Sequence, residues 1–94
     1  MAIRTIRKTA LRIAFGKKVR KRREELGISQ ENLAELSDLN ANYIGCIERG
    51  ERNVGIDTIY KIAKGLNTHA KNLMPDNIKQ EGKRASQEEE NEKD

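Results

Sequence analysis

The sequence predicts an all-α fold, a compact bundle of five short helices. Three observations predict it. Apolar residues recur at three- and four-residue steps across residues 14–74. No window alternates with period two, as a half-buried strand would. Gly, Asn, Asp and Ser interrupt the pattern at helix-length intervals.

Helix 1 carries Phe15, Val19, Arg22 and Leu26 on one face, and Gly27 stops it. Ser29 caps helix 2. Asn32 stands where a Glu or Gln would complete a capping box, so this cap is read as incomplete. Leu33 and Leu36, or Ser37, line the inner side of helix 2, and Asp38 with Leu39 makes a tight turn. Asn40 caps helix 3, whose inner face is Tyr43, Ile44 and Ile47, and Gly50 ends it. A polar loop over 51–55 leads to helix 4, with Ile56, Ile59, Ile62, Ala63 and Leu66 on one side. A fifth turn over 70–74 returns Leu73 to the core, and Pro75 ends it.

A chain of 94 residues has room for one domain with tails. Only 35% of it is apolar and 36% is charged, so the core must come from part of the chain. The single cysteine, Cys46, rules out an internal disulfide. No apolar run approaches the roughly 20 residues of a membrane span, so no membrane partner is expected. Residues 1–23 hold ten Lys or Arg and no acid. The remainder is net negative, with five basic against eight acidic groups over 24–75 and four against seven over 76–94. A transit peptide or a membrane-surface helix is a minor reading of the start, because the basic run continues straight into the predicted fold. A cationic first third points to a polyanion, most commonly nucleic acid; the bland alternative is a solvated helix face. Residues 14–75 form the domain. Residues 76–94, nearly free of apolar groups, read as a disordered charged tail that either is simply solvated or competes with DNA for the basic start. In residues 1–13, Ile3, Ile6, Ala10 and Ile13 fall at helical spacing. They extend helix 1, pack on a partner subunit, or belong to a basic arm.

Helices 2 and 3, joined by a tight turn, describe a helix-turn-helix, with small Ala34 where the two helices touch. Asn42, Cys46 and Arg49 fall at i, i+4 and i+7, outward on helix 3, with Ala41 and Gly45 beside them. A small polar face lets a helix sit deep in a major groove about 12 Å wide. Asn42 can make the bidentate amide contact to adenine, and Ala41 offers a methyl to thymine. Gly45 costs about 1 kcal/mol of helix stability against Ala. Its absent side chain implies either close approach by a ligand or crowding between helices.

At Ser-Gln-x-x-Leu-Ala (29–34), Tyr-Ile (43–44), Ile-Glu-Arg-Gly (47–50) and Arg-Asn (52–53), the chain resembles the Cro/repressor-type, XRE-like helix-turn-helix family, with its lambda-repressor-like DNA-binding domain. The run through Arg-Asn is similar to its restriction-modification controller branch. The resemblance implies that Ala41, Asn42 and Cys46, with Gly45 beside them, read bases. It implies that Gln30, Tyr43, Arg52 and Asn53 touch the DNA backbone, and Arg49 is assigned there with them. It also implies an ion pair between Arg23 and Glu48, both near the core faces of their helices. Asp38 stands where the family often has Gly in the turn, and Val54-Gly55 where it often has Pro-Ser.

The expected function is a sequence-specific, double-stranded-DNA-binding transcriptional regulator, cytoplasmic at the nucleoid. It is expected to be a homodimer on a pseudo-palindromic operator, its dimer surface drawn from Leu66, Leu73 and Met74. The alternative is a protein-interaction or antitoxin-like module on the same fold. No catalytic constellation is present, and His69 and Cys46 lack ligand-spaced companions. Neither a metal nor another cofactor nor a small-molecule ligand is expected. Cys46 is a small neutral filler or, less simply, a redox switch on the DNA face.

Overall fold

The computed structural model describes residues 9–76. Their elements are α1 (Ala10–Glu25), α2 (Gln30–Ser37), α3 (Ala41–Glu48), α4 (Ile56–Gly65) and a single 3-10 turn (Ala70–Asn72) in the place of the fifth helix. Thr9 starts α1, its Oγ1 accepting from the Arg12 amide at 3.2 Å. Residues 10–13 therefore continue helix 1, whereas Ile3, Ile6 and the tail beyond Asp76 lie outside the described residues.

All four α-helices end in one way. A left-handed residue follows the last turn: Gly27 (φ 71°), Asp38 (φ 58°), Gly50 (φ 78°) and Asn67 (φ 53°). In each case the next amide reaches back to a carbonyl five residues earlier: Ile28 to Arg23, Leu39 to Ala34, Glu51 to Cys46 and Thr68 to Ala63. This satisfies carbonyls that a helix end otherwise leaves without partners. Asp38 is one of the few non-glycine types that adopt this backbone readily. The α2 cap is complete, correcting the expectation. The Ser29 hydroxyl accepts from the Asn32 amide at 3.0 Å, and the Ser29 amide donates to Asn32 Oδ1 at 3.2 Å.

The core is aliphatic: Val19, Leu33, Ile44, Ile47, Ile62, Leu66 and Leu73 are fully enclosed, with Phe15, Ala34 and Ala63 around them. Three residues read as inward face out. Leu26 follows the end of α1, Ile56 opens α4, and on α2 Ser37 is buried while Leu36 is exposed. Ser37 fits because α4 crosses there: its hydroxyl lies against Gly65, and Leu33 Cδ1 stands 3.1 Å from where a Gly65 Cβ would be. Arg22, on the predicted inner face of α1, ties that helix to the end of α4. Its Nε and Nη2 donate to the Leu66 and Asn67 carbonyls at 3.0 and 3.1 Å.

The first half of α1 packs on the end of α3. A Cβ on Gly16 would collide with the Ile47 carbonyl oxygen and stand 2.6 Å from that of Glu48. Ile13 closes over Gly50, where an added Cβ would come within 2.8 Å of its Cγ1. Helix α3 is thus seated from behind.

Candidate nucleic-acid interface

Helix α3 has two unlike faces. Ile44 and Ile47 go to the core. Ala41 and Tyr43 pack partly against it at the edge of that face, and on the other side Asn42 and Arg49 are exposed and Cys46 is half-buried. Asn40 fixes the start of the helix, its Oδ1 accepting from the Asn42 amide at 2.7 Å and the Tyr43 amide at 3.4 Å. Arg52, from the following loop, lies over the Tyr43 ring with Cζ 5.2 Å from the centroid, a cation–π distance. Together with Asp38, Leu39 and Asn40, the side chains of Asn42, Tyr43, Cys46 and Arg52 line an open cavity of about 690 Å³. Asn53 is exposed beside Arg52.

Behind this face a buried polar node holds α3. Arg23 grips Glu48 with two bonds, Nε to Oε2 at 2.6 Å and Nη2 to Oε1 at 3.1 Å. The side chains are 13% and 4% exposed, so the pair is desolvated. Arg23 Nη1 donates to the Ile28 carbonyl at 2.9 Å, and Gln30 Nε2 donates to Glu48 Oε1 at 3.0 Å. One carboxylate therefore joins α1, α2 and α3. The Glu48 hydrogen bond pushes the Arg23 pKa upward, against the pull of burial.

At the far end of α3, Arg49 bonds Glu51 through Nε to Oε2 at 2.9 Å and through Nη2 to Oε1 at 3.3 Å. Its Nη2 also lies 3.5 Å from Cys46 Sγ. The bond to Glu51 raises the Arg49 pKa. Sequence reasoning missed Glu51. Its proximity depends on the left-handed turn at Gly50, so the available signal was an acid two residues past an arginine with glycine between.

Gly45 is a correction. It is buried rather than outward, beneath the side chains of Gln30 and Arg49. A Cβ there would lie 3.3 Å from Arg49 Nη1 and 3.5 Å from Gln30 Oε1. Both are ends of flexible side chains and can shift. Gly45→Ala is therefore expected to raise stability by up to about 1 kcal/mol through helix propensity, seen as a higher urea midpoint. A lower midpoint would show that Gln30 and Arg49 cannot give way.

The predicted dimer residues also need correction. Leu66 and Leu73 are sealed in the protomer core, because a bundle this poor in apolar residues needs both. Met74 remains 44% exposed. The large apolar side chains open to solvent on α4 are Ile56 and Tyr60, one turn apart.

Comparison with known proteins agrees with this geometry. A helix-turn-helix family model matches residues 19–72. Control protein C.BamHI of Bacillus amyloliquefaciens is 48% identical over 65 residues, which span 68% of this chain and 80% of that protein. Control protein C.MunI of a Mycoplasma species is 39% identical over 67 residues, spanning 70% and 90%. Among solved structures, the restriction-modification controller protein C.AhdI from Aeromonas hydrophila superposes with a TM-score of 0.65 at 42% identity, over 66% of this chain and 94% of that one. The controller protein C.Esp1396I, solved as a tetramer with its natural 35 base-pair operator, gives 0.64 at 37% identity, over 66% and 82%. The outward polar face of α3, the node behind it and these relatives lead to one assignment: the chain belongs to the Cro/repressor-type helix-turn-helix family, in its restriction-modification controller branch.

Proposed function

We propose that two copies of this chain read a pseudo-palindromic operator by placing α3 of each in successive major grooves, about 34 Å apart. As a member of its family the chain is a sequence-specific DNA-binding regulator of transcription and not an enzyme. The observation that carries the proposal is the asymmetry of α3. Its inner face is locked by the core and by Glu48, while its outer face is small, polar and flanked by Arg49 and Arg52.

In this reading Asn42 and Cys46, with the Ala41 methyl, meet base edges. Gln30, Tyr43, Arg49, Arg52 and Asn53 contact the sugar-phosphate backbone, which sets register without reading sequence. Gln30 has a second task on this reading, because the amide that bonds Glu48 also ties the two helices of the motif. Arg12, Lys17, Lys18, Arg20 and Lys21, on α1, add long-range attraction. The second copy covers exposed apolar groups, Ile56, Tyr60 and Met74, in place of the buried leucines. A monomer in sedimentation at high micromolar concentration would remove the dimer. Acting on DNA, the protein works in the cytoplasm at the nucleoid; among the described residues no helix is long and apolar enough to cross a membrane.

Selection of bound sequences from random duplex DNA tests the whole proposal. An enriched inverted repeat is expected. Asn42→Ala is expected to relax preference at one base pair per half-site and to weaken specific binding by about 1–3 kcal/mol, with little change on random DNA. Equal loss on both DNAs would take Asn42 out of base reading. Absence of binding would favour a protein-interaction module on the same fold.

A further inference from the structure

We infer that Glu51 is a positioning residue for DNA recognition, holding Arg49 in a one-edged pose that limits its grip on phosphate and so suppresses non-specific binding. This rests on the reading that α3 faces DNA.

The geometry is specific. The turn at Gly50 (φ 78°) and the bond from the Glu51 amide to the Cys46 carbonyl at 2.9 Å fold the chain back along the last turn of α3. The Glu51 carboxylate, 18% exposed, then meets the Arg49 guanidinium, 58% exposed, side-on. Two donors, Nε and Nη2, point at Glu51, and Nη2 also touches Cys46 Sγ. Nη1 lies over Gly45. A guanidinium grips phosphate best through two parallel N–H groups. Here the Nε/Nη2 pair is occupied by a carboxylate, on a helix whose neighbouring side chains are proposed to read bases. A phosphate must displace Glu51 to engage the Nε/Nη2 edge, or use the Nη1/Nη2 edge, where Nη2 already meets Cys46 Sγ and Nη1 lies over Gly45.

The consequence is selectivity. Non-specific affinity is almost wholly phosphate neutralisation by cations. A cation already paired with a carboxylate releases fewer counterions from DNA. Glu51 thereby lowers the background that a specific site must exceed, while Asn42 and Cys46 beside it keep their base contacts. It also keeps the Arg49 side chain folded along the helix end rather than extended across the reading face.

The test uses the full chain and a random-sequence duplex, with binding followed by fluorescence anisotropy across a salt series. Glu51→Gln keeps the side-chain shape and removes the charge. It is expected to raise affinity for random DNA several-fold and to steepen the slope of log affinity against log salt by about one, the value of one further neutralised phosphate. In an Arg49→Ala background the same substitution is expected to leave the slope unchanged. An unchanged slope in the Glu51→Gln protein overturns the proposal. An equal steepening without Arg49 also overturns it, by showing general repulsion rather than positioning. Failure of the unaltered protein to bind either random DNA or a selected operator would instead remove the DNA-binding reading itself.

Discussion

Arg23→Ala is expected to destabilise the domain by about 3–5 kcal/mol, the usual cost of stripping one partner from a buried ion pair. Glu48, whose side chain is 4% exposed in the intact pair, would keep the Gln30 amide but lose both guanidinium bonds. The Ile28 carbonyl, at the junction of α1 and α2, would lose its donor as well. Small domains are stable by about 5–15 kcal/mol in total, so the loss is a large share. With each kcal/mol worth about 4–8 °C in a domain of this size, the melting temperature should fall by more than about 10 °C. The double variant Arg23→Ala/Glu48→Ala should be less damaged than the two single losses added together, because no buried charge is left alone. A single-variant cost below about 1 kcal/mol would show that water reaches Glu48. The Arg23 pKa is raised by its bond to Glu48. A raised pKa means that this contribution is complete below the unfolded value and is lost only as pH rises through the folded one. For a guanidinium that window lies beyond ordinary alkaline conditions, so melting curves from neutral to mildly alkaline pH should show no loss attributable to Arg23.

Gly16→Ala is the second large effect. An added methyl would meet the Ile47 and Glu48 carbonyl oxygens, backbone atoms that cannot turn aside. Helices α1 and α3 would have to part, at a cost of about 1–3 kcal/mol or more for an overpacked contact. Operator affinity should fall further than stability alone predicts, because the displaced element is the end of α3. Chemical denaturation and operator titration of the same variant measure both. Gly45→Ala is its internal control: the same substitution in a helix, with flexible side-chain ends as neighbours and the opposite expected sign. If Gly16→Ala were as stable as the original, the α1–α3 contact would be looser than the structure places it.

Helix periods and helix ends were the legible parts of this sequence. Gly27, Asp38 and Gly50 could be read as stops because few residue types take a left-handed backbone easily. Asn67, doing the same work, went unread inside a polar stretch. Periodicity named the right stripe but not its limits. Leu26 and Ile56 lie on the predicted faces at helix ends, where no neighbouring element covers them. Leu66 and Leu73 carry two readings, core face and dimer surface; the first holds and the second fails, because both complete a core short of apolar residues. At the candidate site, spacing along one helix put Asn42 and Arg49 outward. What depended on two segments meeting was less accessible. Whether Gly45 lay bare or beneath Gln30, and whether Glu51 reached Arg49, are decided by turn geometry and rotamers that no residue spacing encodes.

The seating of α3 from behind has an evolutionary consequence. Ile44, Ile47 and Glu48 carry the helix's structural duties, whereas Asn42 and Cys46 have no core to fill and no node to close. On the proposed reading of these two positions as base contacts, mutations there change the operator a descendant prefers while leaving the fold intact. Lineages of such a regulator can therefore drift apart in target sequence quickly, one outward residue at a time, with the scaffold inherited unchanged.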